Sequence, residues 1–304
     1  MPEGTDHLIR AIVREANVRL CCTVTTGVVA DAARRHGLSP AATCAVGRAL
    51  TSGLLLATLT KGGERVTLQL TGDGPIGSIT VDAVDGAVRG YPAHPTAGPD
   101  PAPGTHRCAV SATLGRNGVV NVLRDLGLKE LYQGQVSLVT GEIDEDVEAY
   151  LRSSEQIPSA LGCEVVLDAG GQVAAAGGIL VQALPDGDAD AVREVQHALR
   201  TGRLFEVLST GGARSARALA EQVYTMGTIE VIGDEREVRF QCRCSQERIG
   251  EMLSLLTTVD LDEMIAEGKP AEITCNYCNT KYQIERPELE RIRSLVAGGP
   301  RQSN

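Results

Sequence analysis

Four cysteines near the C-terminal end carry the clearest chemistry in this chain: Cys242 and Cys244 in a C-x-C pair, and Cys275 and Cys278 in a C-x-x-C pair. Thirty residues separate the pairs, enough for a helix that folds the second pair onto the first and closes four sulfurs around one tetrahedral ion. Thiolates are soft ligands, so zinc is the expected metal. They are also the most easily oxidised atoms in a protein, which makes the site a candidate sensor as well as a staple. The single residue between Cys242 and Cys244 is a shorter gap than generic zinc fingers use, and none of the five histidines lies nearby, which leaves cysteine as the ligand type.

The remaining residues of chemical interest read more plainly. Cys21 and Cys22 are adjacent on an expected strand and point to opposite faces, so they do not chelate one ion. Cys44 falls in an expected helix, and Cys108 and Cys163 stand alone; most of these five are expected as buried, inert thiols. Gly72, Gly74 and Gly77 satisfy G-x-G-x-x-G, but Pro75 interrupts them and a strand follows where a phosphate-binding helix would be needed, so the reading is a tight turn between strands. No phosphate-binding G-x-x-x-x-G-K-[ST] sequence occurs. His7, His36, His94, His106 and His197 lack any nucleophile context, and no catalytic residue is expected.

A chain of 304 residues exceeds one ordinary core. Aromatics make up only 3%, with no Trp, so the core rests on Val, Leu, Ile and Ala. The net charge of -10 opposes attraction to nucleic acid or anionic lipid. Residues 1–10 have no basic region followed by an apolar run, and the apolar stretch 49–60 is too short to span a bilayer. The expectation is a cytoplasmic protein whose thiols stay reduced, in which such cysteine pairs bind metal rather than form a disulfide framework.

The elements that must position the quartet group into an α+β fold. Residues 1–185 read as one mixed α/β domain. Thr5 or Asp6 opens an expected helix with Leu8, Ile9, Ile12 and Val13 on one face, and 18–26 reads as a strand. A helix opens at Ser39 with Pro40 in its first turn and runs through Val46, Leu50 and Leu54. Strands are expected at 65–70, 77–81, 119–123 and 135–139, with Asn117 and Gly118 as a hairpin turn, a proline-rich loop at 92–104 and a helix near 144–154. Residues 186–236 carry two short stripes, Val192 with Val195 and Leu199, and Leu219 with Val223 and Tyr224, on either side of a flexible 209–212 stretch; they read as a metastable helical linker that must lie on a neighbour. Residues 237–290 have the plan strand, helix and hairpin, with Ile249, Met252, Leu253 and Leu256 as the helical face, and 291–304 form a tail. This lobe has six Lys and Arg against eleven Asp and Glu, which disfavours a nucleic-acid zinc ribbon.

With the quartet as its anchor, the chain resembles the redox-regulated chaperones of the heat shock protein 33 family nearly end to end. The resemblance includes Asp73-Gly74-Pro75, Val88-Arg89-Gly90-Tyr91, Asp125-Leu126-Gly127, Tyr132-Gln133-Gly134, Ser154-Glu155-Gln156-Ile157-Pro158 and Ala176-Gly177-Gly178 leading to Gln182. It implies an ATP-independent holdase for unfolding client proteins, quiescent while reduced and zinc-bound, with hand-over of clients to ATP-driven chaperones. It also implies redox disulfides, Cys242 with Cys244 and Cys275 with Cys278, and a homodimer on activation. Zinc contributes on the order of 10 to 16 kcal/mol to such sites, against about 5 to 15 kcal/mol for a whole domain, so loss of the ion would unfold the lobe. A disulfide across one intervening residue is strained and easily reduced, which suits a reversible switch. Two other classes compete: a thiol oxidoreductase using Cys275 and Cys278, weakened by their place in a hairpin rather than at a helix N-terminus, and a zinc-ribbon nucleic-acid binder, weakened by charge.

Overall fold

The computed structural model describes residues 6–60, 63–99, 108–125, 132–211 and 214–298. The chain divides into two units, 1–241 and 242–304. The first, the body, opens on an antiparallel pair, β1 (His7–Val13) and β2 (Val18–Val24), followed by α1 (Thr26–His36) and α2 (Pro40–Ala57). A meander of β3 (Arg65–Gly72), β4 (Ser78–Val84) and β5 (Ala87–Pro92) leads through the short α3 (Ser111–Leu114) to β6 (Gly118–Asp125) and β7 (Tyr132–Ser137). Then come α4 (Ile143–Tyr150), which runs on as a π-turn over Leu151–Glu155, the long hairpin of β8 (Ser159–Leu167) and β9 (Val173–Ala183), and three helices: α5 (Ala189–Arg200), α6 (Arg203–Ser209) and α7 (Ala216–Val223). Three two-residue strands close the body: β10 (Glu230–Val231), β11 (Arg236–Glu237) and β12 (Arg239–Phe240).

Two sheets form, one in the order β10-β1-β2-β9-β8 with β11 also on β1, the other β12-β5-β4-β3-β6-β7. Helix α2 lies between them. Ser39 caps its first turn by accepting from the Ala42 amide at 3.3 Å, and Pro40 sits where its missing N–H costs nothing. The helix is long and apolar enough to cross a membrane, yet both sheets bury it. Its glycines allow that double approach: a Cβ on Gly47 would come within 2.6 Å of Val165 on one sheet, and a Cβ on Gly53 within 2.7 Å of Val81 on the other. One core surrounds α2; a second fills the opposite face of the first sheet, where Val192, Val195, Leu199, Leu219 and Val223 of α5 and α7 cover Ile9, Leu20, Ile179 and Val181. Adjacent Cys21 and Cys22 accordingly point into different cores.

Several expectations are corrected. Residues 7–13 form β1, not a helix; Thr5 lies outside the described residues, and Asp6 caps a different helix, accepting from the Gly27 and Val28 amides of α1 at 3.1 and 2.7 Å. Asn117 and Gly118 follow α3 rather than joining two hairpin strands. Residue 92 ends β5, the expected loop continues to 99, and its remainder lies outside the described residues. Of the expected flexible stretch 209–212, Ser209 ends helix α6, and residues 212 and 213 lie outside the described set. The turn after β3 does connect two strands, with the Gly74 amide donating to the Leu114 carbonyl at 2.9 Å. Cys44 and Cys108 are not separate inert thiols: they are joined as a disulfide, with Cα atoms 6.3 Å apart.

Behind that disulfide, fully buried Arg48 meets Glu142 at 2.7 Å, Glu164 at 2.6 Å and Asp144 at 3.6 Å. Burial works against its charge, but the three carboxylates outweigh burial and raise its pKa.

The last strands anchor the chain as it approaches the quartet. β10 and β11 pair with β1, Val238 donates to the Asp6 carbonyl at 2.8 Å, and β12 runs parallel beside β5. Val238 is buried, Phe240 packs on the same core, and the Arg35 guanidinium stands 5.4 Å from the Phe240 ring centre. The backbone is therefore held up to Gln241, whose amide donates to Val88 at 2.8 Å, one residue before Cys242.

The second unit, the lobe, contains α8 (Gln246–Leu253), α9 (Thr258–Ala266), the hairpin of β13 (Ala271–Thr274) and β14 (Lys281–Ile284), and α10 (Arg286–Gly298). The tail expected from residue 291 is helical to Gly298. Ile249 and Leu253 of the expected face are buried with Leu261, Ile284, Leu289 and Ile292, whereas Met252 is 63% exposed and belongs to the outer surface.

Candidate metal centre

Local rules place the four sulfurs. Cys242 and Cys244 lie in irregular chain that ends where Ser245 caps α8, its hydroxyl accepting from the Arg248 amide at 3.3 Å. The Arg248 side chain returns to donate to the Arg243 carbonyl at 2.8 Å, which fixes the peptide between the two cysteines. The Gln246 amide group donates to the Gln283 carbonyl at 3.2 Å and ties α8 to β14.

Cys275 and Cys278 bracket the hairpin turn. The Cys275 carbonyl accepts from the amides of Cys278 at 3.3 Å and Asn279 at 2.8 Å, and the Cys275 amide donates to the Thr280 carbonyl at 2.9 Å. Asn279 takes the left-handed conformation, φ 58°, that the turn requires. Below it, the register pairs Ile273 with Tyr282 and Ala271 with Ile284, and this alternation turns those four side chains toward the lobe core. The two cysteines therefore do not sit at a helix N-terminus.

All four expected residues come together. Cys242 Sγ is 3.7 Å from Cys275 Sγ, Cys244 Sγ is 3.3 Å from Cys278 Sγ, and all four sulfurs lie within 4.8 Å of one another. Four sulfurs bound tetrahedrally at about 2.3 Å stand about 3.8 Å apart, so the observed spacing fits a single ion. The same spacing leaves every disulfide pairing within reach.

Burial, then the neighbouring Cys242 sulfur, pushes the Cys275 thiol up to about 12. Burial also raises Cys244, against the hydrogen bond it accepts from the Tyr282 hydroxyl at 3.0 Å. That bond, and then burial, raises the Tyr282 phenol in turn. Thiols crowded in this way ionise together only around a cation. Thr280 Oγ1 lies 3.2 Å from Cys278 Sγ, a second hydroxyl on the cluster. Sequence reasoning missed Tyr282 and Thr280; their alternate positions shortly after Cys278, Thr280 just before β14 and Tyr282 on it, were the available signal.

A two-sheet body followed by a small lobe gathered on four sulfurs defines a protein whose C-terminal unit can be held together by one ion. Comparison with known proteins gives the family. The family described as Hsp33 protein matches residues 6–285. The 33 kDa chaperonin of Geobacter sulfurreducens is 41% identical over 295 residues, covering 96% of this chain and 97% of that protein. That of Bacillus subtilis is 35% identical over 289 residues, covering 95% and 98%. The crystal structure of the 33 kDa chaperonin from Thermotoga maritima superposes with a TM-score of 0.85 at 31% identity, covering 96% of this chain and 99% of that one. The chain belongs to the Hsp33 family of chaperones.

Proposed function

We propose that this protein is an ATP-independent holdase under redox control. The observation that carries the reading is the convergence of four sulfurs in a lobe whose own core is six buried side chains, Ile249, Leu253, Leu261, Ile284, Leu289 and Ile292. Zinc is the ion that four thiolates favour. Cys242, Cys244, Cys275 and Cys278 would hold it, Tyr282 would steady Cys244 through its hydroxyl, and the ion would supply the folding free energy that so small a core lacks.

Oxidation removes the ligands. Each disulfide forms at the expense of two thiolates and passes two electrons to a peroxide or hypochlorite; Cys242 with Cys244 and Cys275 with Cys278 are the proposed pairs. The proposed switch region, residues 237–290, and the lobe with it, then lose the ion and their order. In this reading residues 186–236 act as a metastable linker that lifts from the 1–185 domain, uncovering apolar faces of α5 and α7 and of the sheet beneath them for unfolding clients. Homodimerisation, hand-over of clients to ATP-driven chaperones, a cytoplasmic setting, and no role for nucleic acid, membrane or catalysis complete the proposal.

Zinc content, lobe order and suppression of client aggregation should be followed together on reduced protein before and after peroxide. The expected result is about one zinc per chain, lost as the lobe unfolds and anti-aggregation activity appears. Full activity in the reduced zinc form would refute the switch, and reduced protein free of metal would refute the clasp.

A further inference from the structure

The disulfide between Cys44 and Cys108 belongs to neither the quartet nor its lobe. Cys44 lies in the second turn of α2, fully buried between the two sheets, whereas Cys108 is only half-buried at the start of the segment leading into α3. Their proximity does not depend on the bond alone. The Cys108 carbonyl accepts from Arg48 at 3.4 Å, and the Ser111 amide donates to the Glu142 carboxylate at 3.1 Å, while Arg48 and Glu142 are themselves paired at 2.7 Å. Residues 108–111 are thus held against α2 one turn beyond Cys44, and the Cα separation of 6.3 Å is within the range a disulfide spans.

The other body cysteines offer no comparable chemistry. Cys21 and Cys22 occupy different cores, and Cys163 is buried with its sulfur 3.3 Å from the Ser52 hydroxyl. Among the five body cysteines, the 44–108 pair alone combines a half-buried cysteine with a resolving partner.

We propose that Cys44 and Cys108 form a second thiol-disulfide site, driven by hydroperoxides, that staples the body while the lobe opens. The Cys108 thiol gives up its proton and attacks the peroxide oxygen; the O–O bond breaks, the sulfur becomes a sulfenic acid, and one water or alcohol leaves. The Cys44 thiol then displaces the sulfenic oxygen as a second water, forming the S–S bond. The two sulfurs together lose two electrons, and the peroxide gains them. A dithiol returns the pair to its reduced state. The bond closes a loop across a sequence separation of 64 and tethers the helix on which both sheets pack. One oxidant would therefore have opposite effects along the chain, tightening the 1–185 domain and loosening the linker and lobe that follow it. That pairing of effects rests on the proposed switch; the staple itself does not.

The test uses the full-length protein, reduced with dithiothreitol in the presence of zinc and then treated with hydrogen peroxide, quenched by alkylation and mapped by peptide mass spectrometry. A Cys44–Cys108 cross-linked peptide is expected after peroxide and not before, both in the wild type and in a Cys242→Ser/Cys244→Ser variant that lacks two quartet ligands. The thermal midpoint of the body should rise by about 5 to 15 °C on oxidation of the wild type. It should not rise in Cys108→Ser, where the changed side chain is only half-buried, or in Cys44→Ala. Alkylated Cys44 and Cys108 after peroxide, a cross-link that persists throughout in dithiothreitol, or an equal rise in both variants would each overturn the proposal. If the cross-link forms while the lobe keeps its zinc and its order, the switch reading fails and the staple stands.

Discussion

Replacing Tyr282 by Phe removes one oxygen from the sulfur cluster and leaves the ring packed on the lobe core. The hydroxyl donates to Cys244 Sγ at 3.0 Å, and around a bound ion that sulfur is a thiolate. Hydrogen bonds to charged acceptors contribute about 1.5 to 3 kcal/mol, and loss of groups that support metal ligands costs roughly 10- to 100-fold in affinity. Tyr282→Phe should therefore weaken zinc binding about 10-fold or more, measured by competition with a chromophoric chelator on reduced protein. The freed thiolate also becomes a better nucleophile, so zinc release under peroxide should be several-fold faster. The reduced, zinc-saturated variant should keep the circular dichroism of the wild type, because Ile273 and Ile284 still fix the hairpin. Affinity within a factor of two of wild type, with an unchanged release rate, would refute the assignment of Tyr282 as support for the metal centre.

Arg48→Met leaves Glu142, Asp144 and Glu164 facing one another without their cation; the body should lose about 3 to 5 kcal/mol by urea unfolding, and a loss under about 1 kcal/mol would show that the network relaxes freely. Phe240→Ala removes the ring that packs on the body core and under Arg35; limited proteolysis of the reduced protein should cut within 230–241 several-fold faster, and an unchanged rate would mean β12 is held by its backbone pairing alone. Stripping the ion with a strong chelator under reducing conditions should abolish the helical signal of α8, α9 and α10 while the 1–185 domain stays folded. A lobe that stays folded without metal would refute the dependence of its fold on the ion.

Much of the site was legible in the chain because its geometry is written in short spacings. A C-x-C and a C-x-x-C determine their own local turns, and the hairpin register brings the second pair to the first. Tyr282 was not legible, since its role depends on which face of β14 meets the cluster. The Cys44–Cys108 bond was not legible either: a partner at sequence separation 64 is chosen by packing, not by pattern. In the body, α2 announced itself through Ser39, Pro40 and a long apolar run. β1 did not, because its second face carries buried Leu8 and half-buried Ile12 beside exposed Arg10, so that Leu8, Ile9, Ile12 and Val13 mimic a helical stripe. Helix α1 was overlooked since its cap comes from Asp6, some 20 residues upstream, rather than from its own first turn. For α9 the signal was present, in the Thr257–Asp260 capping box, and was overlooked.

The crossing of residues 230–241 over both sheets has a further consequence. In each sheet the strand it borders, β1 in one and β5 in the other, has no other neighbour on that side among the described residues. Were the crossing to peel away, both would become open edges, with rows of amides and carbonyls seeking a new strand. Two molecules in that condition could zip together edge to edge, and an extended client segment could add itself in the same manner. A lid that hides main-chain hydrogen-bonding groups, and not grease alone, would favour guests by their lack of structure instead of by their side chains.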